Sequence, residues 1–133
     1  MRILAVLALL GGATGCFGTG PSEVAPGEEF ELAPNQSARV AGTELTVGFR
    51  RVNGDSRCPI DAACLVQGMA GIELNIFGVA ANNPVLVAAP LPTVWTDGTY
   101  EIKLVDLLPH TTLDRTISPA EYRLRLQVDL LPR

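Results

Sequence analysis

Tyr122-Arg123-Leu124-Arg125-Leu126-Gln127-Val128-Asp129-Leu130 puts an apolar side chain at every second position and a polar or charged one between. Side chains of a strand alternate between its two faces, so the stretch reads as a strand with one dry and one wet face. The same period recurs upstream. Ile72, Leu74 and Ile76 alternate with Glu73 and Asn75, and Leu45, Val47 and Phe49 alternate with Thr46, Gly48 and Arg50. After Phe49 the apolar parity moves to Val52 across Arg50-Arg51, the mark of a β-bulge that adds one residue and restores the inward face. The two arginines are then expected in water.

Shorter signals complete the pattern. Phe30 and Leu32 between glutamates give a short strand, and Ala38 with Val40 another ahead of Gly42-Thr43. Residues 85–89 form an apolar run between Pro84 and Pro90, and because proline cannot donate to a ladder the run fits a short or edge strand. Asp97-Gly98 lies between Val94-Trp95-Thr96 and Thr99-Tyr100-Glu101, which predicts a hairpin with a two-residue turn, both turn residues at positive φ. Tyr100, Ile102 and Leu104 continue as a strand that ends near Pro109. A polar connection follows over 110–118, and Ser118-Pro119-Ala120-Glu121 reads as one helical turn, since proline suits a first helical position. About seven or eight short strands, with no amphipathic helix longer than a turn or two, predict an all-β chain. The expected architecture is a single antiparallel β-sandwich, immunoglobulin-like in general form, with a small β-barrel as the alternative. Ala120-Glu121-Tyr122-Arg123-Leu124 also resembles the tyrosine-corner strand of immunoglobulin and fibronectin type III domains. There a tyrosine hydroxyl bonds back to upstream backbone, and a further strand follows.

The chain opens with Arg2, an apolar run over 3–10 and Gly11-Gly12-Ala13, the charged, apolar and small-residue order of a secretory signal. The run is too short for a hydrocarbon core, which needs about 20 apolar residues. Ala13-Thr14-Gly15-Cys16 has the small residues before a cysteine that lipoprotein signal peptidase requires. In this the chain resembles bacterial lipoproteins, in which that cysteine becomes a diacylated, N-acylated first residue; Ala13 stands where the family more often has Leu. The resemblance implies lipidation of Cys16 and a lipid-anchored place in the cell envelope. Phe17 after the cysteine, in place of the Asp that favours inner-membrane retention, implies the outer membrane, facing periplasm or surface. Cleavage by ordinary signal peptidase after Gly15 would instead leave a soluble protein with an unlipidated terminal thiol. Cysteine parity bears on the choice, because three cysteines in an exported chain leave one thiol to explain. With Cys16 lipidated, Cys58 and Cys64 remain as a pair in a compartment where disulfides persist.

The expected organisation is a removed signal peptide over 1–15, a lipidated cysteine and tether over 16–27, and a β-sandwich domain over 28–133. Residues 17–27 mix Gly, Thr, Ser and Pro with few apolar anchors, too little to fix one conformation. Fully extended, such a tether would reach roughly 35 Å from the lipid surface. Removing 15 of 133 residues leaves 118, enough for one core. Without Arg2, nine Arg and Lys face fourteen Asp and Glu, and no basic run occurs, so nucleic acid is not an expected partner.

Catalytic patterns are absent from the sequence. His110 is the only histidine, and although Thr111, Thr112 and Asp114 follow it, no nucleophile-elbow pattern accompanies them. It reads as a loop residue after Pro109, and the chain as a non-enzyme. No Cys and His cluster has zinc-ligand spacing, and Asp55, Asp61, Asp97 and Asp106 lack the alternate-residue spacing of a calcium loop. No cofactor and no metal is expected. Trp95 reads as a residue packed at a strand end.

One region is distinctive: Asn53-Gly54-Asp55-Ser56-Arg57-Cys58-Pro59-Ile60-Asp61-Ala62-Ala63-Cys64 joins two expected strands by more chain than a hairpin needs. A Cys58–Cys64 disulfide would staple it, removing roughly 2 to 3 kcal/mol of unfolded-chain entropy. A second reading makes it a preorganised recognition loop of Asp55, Ser56, Arg57, Pro59 and Asp61, with Arg57 as exposed anchor. The chain also resembles a group of small bacterial lipoproteins of no established activity. They share Asp55-Ser56-Arg57-Cys58-Pro59, a second cysteine at the spacing of Cys64 and a glycine near Gly68. Many carry Trp two residues after the second cysteine, where this chain has Val66. The expected function is a membrane-anchored, noncatalytic binding or structural module whose partner is an envelope protein or glycan. The alternative is a protease inhibitor that presents Arg57 and its loop to a trypsin-like site.

Overall fold

A computed structural model describes residues 22–78 and 85–132. The stretch read as a signal peptide, Cys16 and Pro84 lie outside the described residues. Nine strands are described: β1 (Ser22–Val24), β2 (Glu29–Leu32), β3 (Gln36–Val40), β4 (Thr46–Asp55), β5 (Ala70–Phe77), β6 (Val85–Ala89), β7 (Thr93–Thr96), β8 (Tyr100–Leu108) and β9 (Arg123–Leu130). One sheet runs β1-β3-β4-β5-β6 and the other β2-β9-β8-β7. Pairing is antiparallel throughout except between β1 and β3. Both sheets keep open edges among the described residues, so the fold is a sandwich and not a barrel.

The alternation that predicts the strands also builds the core. Val47, Phe49, Ile72, Leu74 and Ile76 from one sheet meet Ile102, Leu104, Leu124, Leu126 and Val128 from the other in one buried cluster. Each large side chain in it contributes about 1.5–3 kcal/mol by leaving water. The register of β4 on β5 shifts between Phe49 and Arg51, where the sequence parity changes. A further shift, on β8 between Leu104 and Asp106, carries the inward face on to Leu107. The apolar run over 85–89 forms β6, the edge of its sheet, and a 3-10 turn occupies Pro119–Glu121. Trp95 is half-buried against the core from edge strand β7.

Three details differ from expectation. Ser22–Val24, inside the stretch read as tether, pairs with β3 and half-buries Val24 against the core. The free edge of β3 supplies backbone partners that Ser-Glu-Val can take without any periodic pattern. The hairpin at Asp97 is present, but Thr96 pairs with Glu101, so its turn is wider than two residues. Asp97 Oδ1 accepts the amides of Thr99 and Tyr100, both at 2.8 Å, which holds this wider turn, and only Gly98 there has positive φ. Arg51, expected simply in water, pairs with Glu73 across the strands, Nε to Oε2 at 2.7 Å and Nη2 to Oε1 at 3.1 Å.

β4 and β8 run toward the same end of the sandwich, where residues 56–69, 90–92 and 109–121 gather. The connections 25–28, 41–45 and 97–99 lie at the other end.

Candidate functional site

The distinctive segment is an extension of the β4–β5 hairpin. Asp55 pairs with Ala70, and beyond that pair Ser56 N–H donates to Met69 O and Cys58 N–H to Gln67 O, both at 2.8 Å, in the same register. Ser56 Oγ adds bonds to the amide and carbonyl of Met69, at 3.2 and 3.1 Å. Gly68 sits opposite with φ +72°, and a Cβ there would stand 1.8 Å from Ser56 O, so only glycine lets the strands close. Above this stem Pro59 starts a turn whose carbonyl accepts Ala62 N–H at 3.1 Å, and a Cys58–Cys64 disulfide closes the tip.

A clamp under the stem ties it to the other sheet. Asp55 and Arg57 stand two apart, on one face of an extended chain. Arg57 donates from Nε to Asp55 Oδ1 and from Nη2 to Oδ2, both at 2.8 Å, a bidentate pair. Its Nη1 reaches Leu107 O at 2.6 Å, near the end of β8, and its Nη2 also reaches Pro109 O at 3.1 Å, just past that end. Tyr122, at the foot of β9, donates its hydroxyl to Asp55 Oδ2 at 2.9 Å. Side-chain exposure is 10% for Asp55 and 14% for Arg57, so the pair caps the open end of the core. Burial opposes the charge on Asp55, but the bonds from Arg57 and Tyr122 and the guanidinium charge outweigh it and hold the carboxyl below its usual range. Burial and the neighbouring carboxylate push the Tyr122 hydroxyl up to about 12.

This geometry corrects the expectation that Arg57 is an exposed anchor. A trypsin-like pocket takes an extended arginine, whereas this one makes four side-chain hydrogen bonds inward. The tyrosine-corner likeness is corrected as well, since the Tyr122 hydroxyl goes to a carboxylate and not to upstream backbone. Of the other candidate residues, Ser56 locks the stem, Pro59 turns the tip, and Asp61 Oδ1 accepts Leu113 N–H at 3.0 Å. The groups that face solvent are ones the sequence reading passed over: Ile60, Val66 and Leu113 are largely exposed and Leu65 fully so. Their spacing carries no period, but a run of large aliphatics in a loop is itself a signal. No family model, curated protein or solved structure matches this chain. The site is therefore read from its own chemistry.

A cleft of about 200 Å3 lies between the stem and the connection after β8, lined by Arg57, Gln67, Leu91, Asp106, His110 and Thr111. His110 Nε2 meets Asp106 Oδ2 at 2.8 Å, a partner the sequence did not suggest. Thr111 Oγ1 donates to Arg57 O at 3.3 Å. The four aspartates weighed for calcium serve four separate purposes: Asp55 in the clamp, Asp61 on Leu113, Asp97 in its turn and Asp106 on His110. Among the described residues no three His, Cys, Asp or Glu side chains gather as a metal site.

Proposed function

We propose that the chain is a lipid-anchored module of the bacterial cell envelope that acts by binding or as structure and not by catalysis, with the 56–69 hairpin tip as its contact element. The observation that carries this reading is the division of labour in that hairpin: Arg57 is turned inward onto Asp55, Asp61 is tied to the Leu113 amide, and the large aliphatic residues face outward. A contact surface fixed before binding saves the ordering cost of a mobile loop. The anchor is supported by cysteine parity, since the disulfide between Cys58 and Cys64 leaves Cys16 of Ala13-Thr14-Gly15-Cys16 to be accounted for. Phe17 after it supports an outer-membrane address.

Metabolic labelling with a palmitate analogue tests the anchor. Label and membrane retention are expected for the full chain and both should be lost in Cys16→Ala; an unlabelled, soluble wild-type chain would contradict the reading. A pulldown from native envelope extract tests the contact element. Contacts that a folded Cys58→Ser/Cys64→Ser chain loses would support it, and contacts indifferent to the disulfide would move the function to the sheet faces.

A further inference from the structure

The first described strand comes into the fold from the direction of the proposed contact element, although Ser22 itself lies nearer the opposite end. β1 runs parallel to β3, with Ser22 beside Ala38 and Ala38 beside Val47. The line of β1 traced back from Ser22 therefore points the way β4 runs, toward Asp55 and the hairpin tip. Six residue steps separate Cys16 from Ser22 and span at most ~20 Å. Val47 and Asp55 face Ile76 and Ala70, six steps apart on β5, ~20 Å at strand rise, and the tip lies farther still. An acyl group on Cys16, reached along the line of β1, would thus come no farther than the tip.

The tip has the chemistry of a surface that meets lipid. Ile60, Leu65, Val66 and Leu113 all stand out from it. They share one platform, because Ile60 N–H bonds Thr111 O at 2.9 Å and Leu113 N–H bonds Asp61 Oδ1 at 3.0 Å. From Cys58 to Met69 the sequence has a single charged residue, Asp61, whose carboxylate takes that Leu113 amide. Several charged groups around the platform are paired, Arg57 with Asp55, Arg115 with Glu121 and His110 with Asp106, while Asp114 beside Leu113 is exposed. Apolar side chains on a rigid frame with little free charge enter the boundary between headgroups and acyl chains readily.

We propose that Ile60, Leu65, Val66 and Leu113 insert into the surface of the bilayer that holds the Cys16 acyl chains, so that the sandwich stands on the membrane with its disulfide end down. This rests on the reading of Cys16 as the acylated residue. The acyl chains then supply the attachment and the tip supplies the orientation.

The test uses the acylated full chain with Trp95→Phe, carrying either Leu65→Trp at the tip or Glu44→Trp in the far turn. Each is reconstituted into vesicles of phosphatidylethanolamine and phosphatidylglycerol with brominated acyl chains, after circular dichroism has checked the fold. Leu65→Trp should shift its emission to shorter wavelength and lose most of its intensity to the bromines, while Glu44→Trp should do neither. A chain that floats with the vesicles but shows equal, weak quenching at both sites would overturn the insertion and leave the anchor standing. A chain that mass spectrometry finds unacylated and that does not float would overturn both. A tip shift that appears only when envelope protein is added would replace lipid with a protein partner and overturn the proposal.

Discussion

Two arginine–carboxylate pairs lie on or beside β4, and they are nearly the same object geometrically. Arg51 grips Glu73 and Arg57 grips Asp55, each through Nε and Nη2 onto two carboxylate oxygens at 2.7 to 3.1 Å. Arg51 is 59% exposed and Arg57 is 14% exposed. The first pair lies over strands that their backbone ladder already joins. The second adds two backbone carbonyls and a tyrosine hydroxyl from the opposite sheet, so it joins parts of the molecule that the ladder does not. Chemistry alone does not set the worth of an ion pair. Burial and the number of elements it connects do.

The largest effect is expected from breaking the buried pair at one side. Asp55→Ala leaves the guanidinium enclosed without its counter-charge and should cost about 3 kcal/mol in urea unfolding, the low end of the range for buried pairs because the rim admits some water. A loss no greater than that of Glu73→Ala would erase the contrast between the two sites. The Cys58→Ser/Cys64→Ser chain should lose about 2 kcal/mol, given the short loop the bond closes, and trypsin should then cut after Arg57, where the loosened loop begins. Cleavage after Arg57 in the intact wild type would place that side chain outside.

Tyr122→Phe should cost about 1.5 kcal/mol, the worth of a hydrogen bond to a charged acceptor. The same residue gives the clamp a signature in alkali. The folded hydroxyl sits at about 12, above the value near 10 of an unfolded tyrosine, so its contribution is complete below pH ~10 and is lost as pH rises through the folded value. Tyr122→Phe should flatten the stability curve across that window. In acid the sign reverses for Asp55, whose folded carboxyl lies below its unfolded value: its contribution holds above about pH 4 and is lost as pH falls through the folded value. Glu73→Ala is expected to do least, with a thermal midpoint indistinguishable from wild type, since exposed pairs often contribute nothing measurable.

The sheets were legible because a strand states its inward face in its own sequence. Ile72 to Ile76 and Tyr122 to Leu130 needed no partner to be read, and the parity break after Phe49 marked where β4 shifts register on β5. β1 was not legible, because a strand that lives on the free edge of β3 needs only backbone groups. At the candidate site the cysteines and the Asp55-Ser56-Arg57 run stood out, but the pairing of Asp55 with Arg57 was not read from their spacing. The direction of Arg57 did not follow from it. That direction depends on Tyr122, 67 residues away from Asp55, and on carbonyls at Leu107 and Pro109 that strand pairing brings near. Alternation gave Tyr122 as a core position, and the tyrosine-corner likeness sent its hydroxyl to upstream backbone and not to Asp55, because alternation records the ring and not the hydroxyl.

A double-mutant cycle over Asp55→Ala and Arg57→Ala, followed by urea unfolding, tests the inward clamp most directly. The account predicts that the double variant loses little more than either single one, a coupling of about 2 kcal/mol or more between the two side chains. Losses that simply add, within about 0.5 kcal/mol, would mean that the two do not meet and would return Arg57 to solvent as a free anchor.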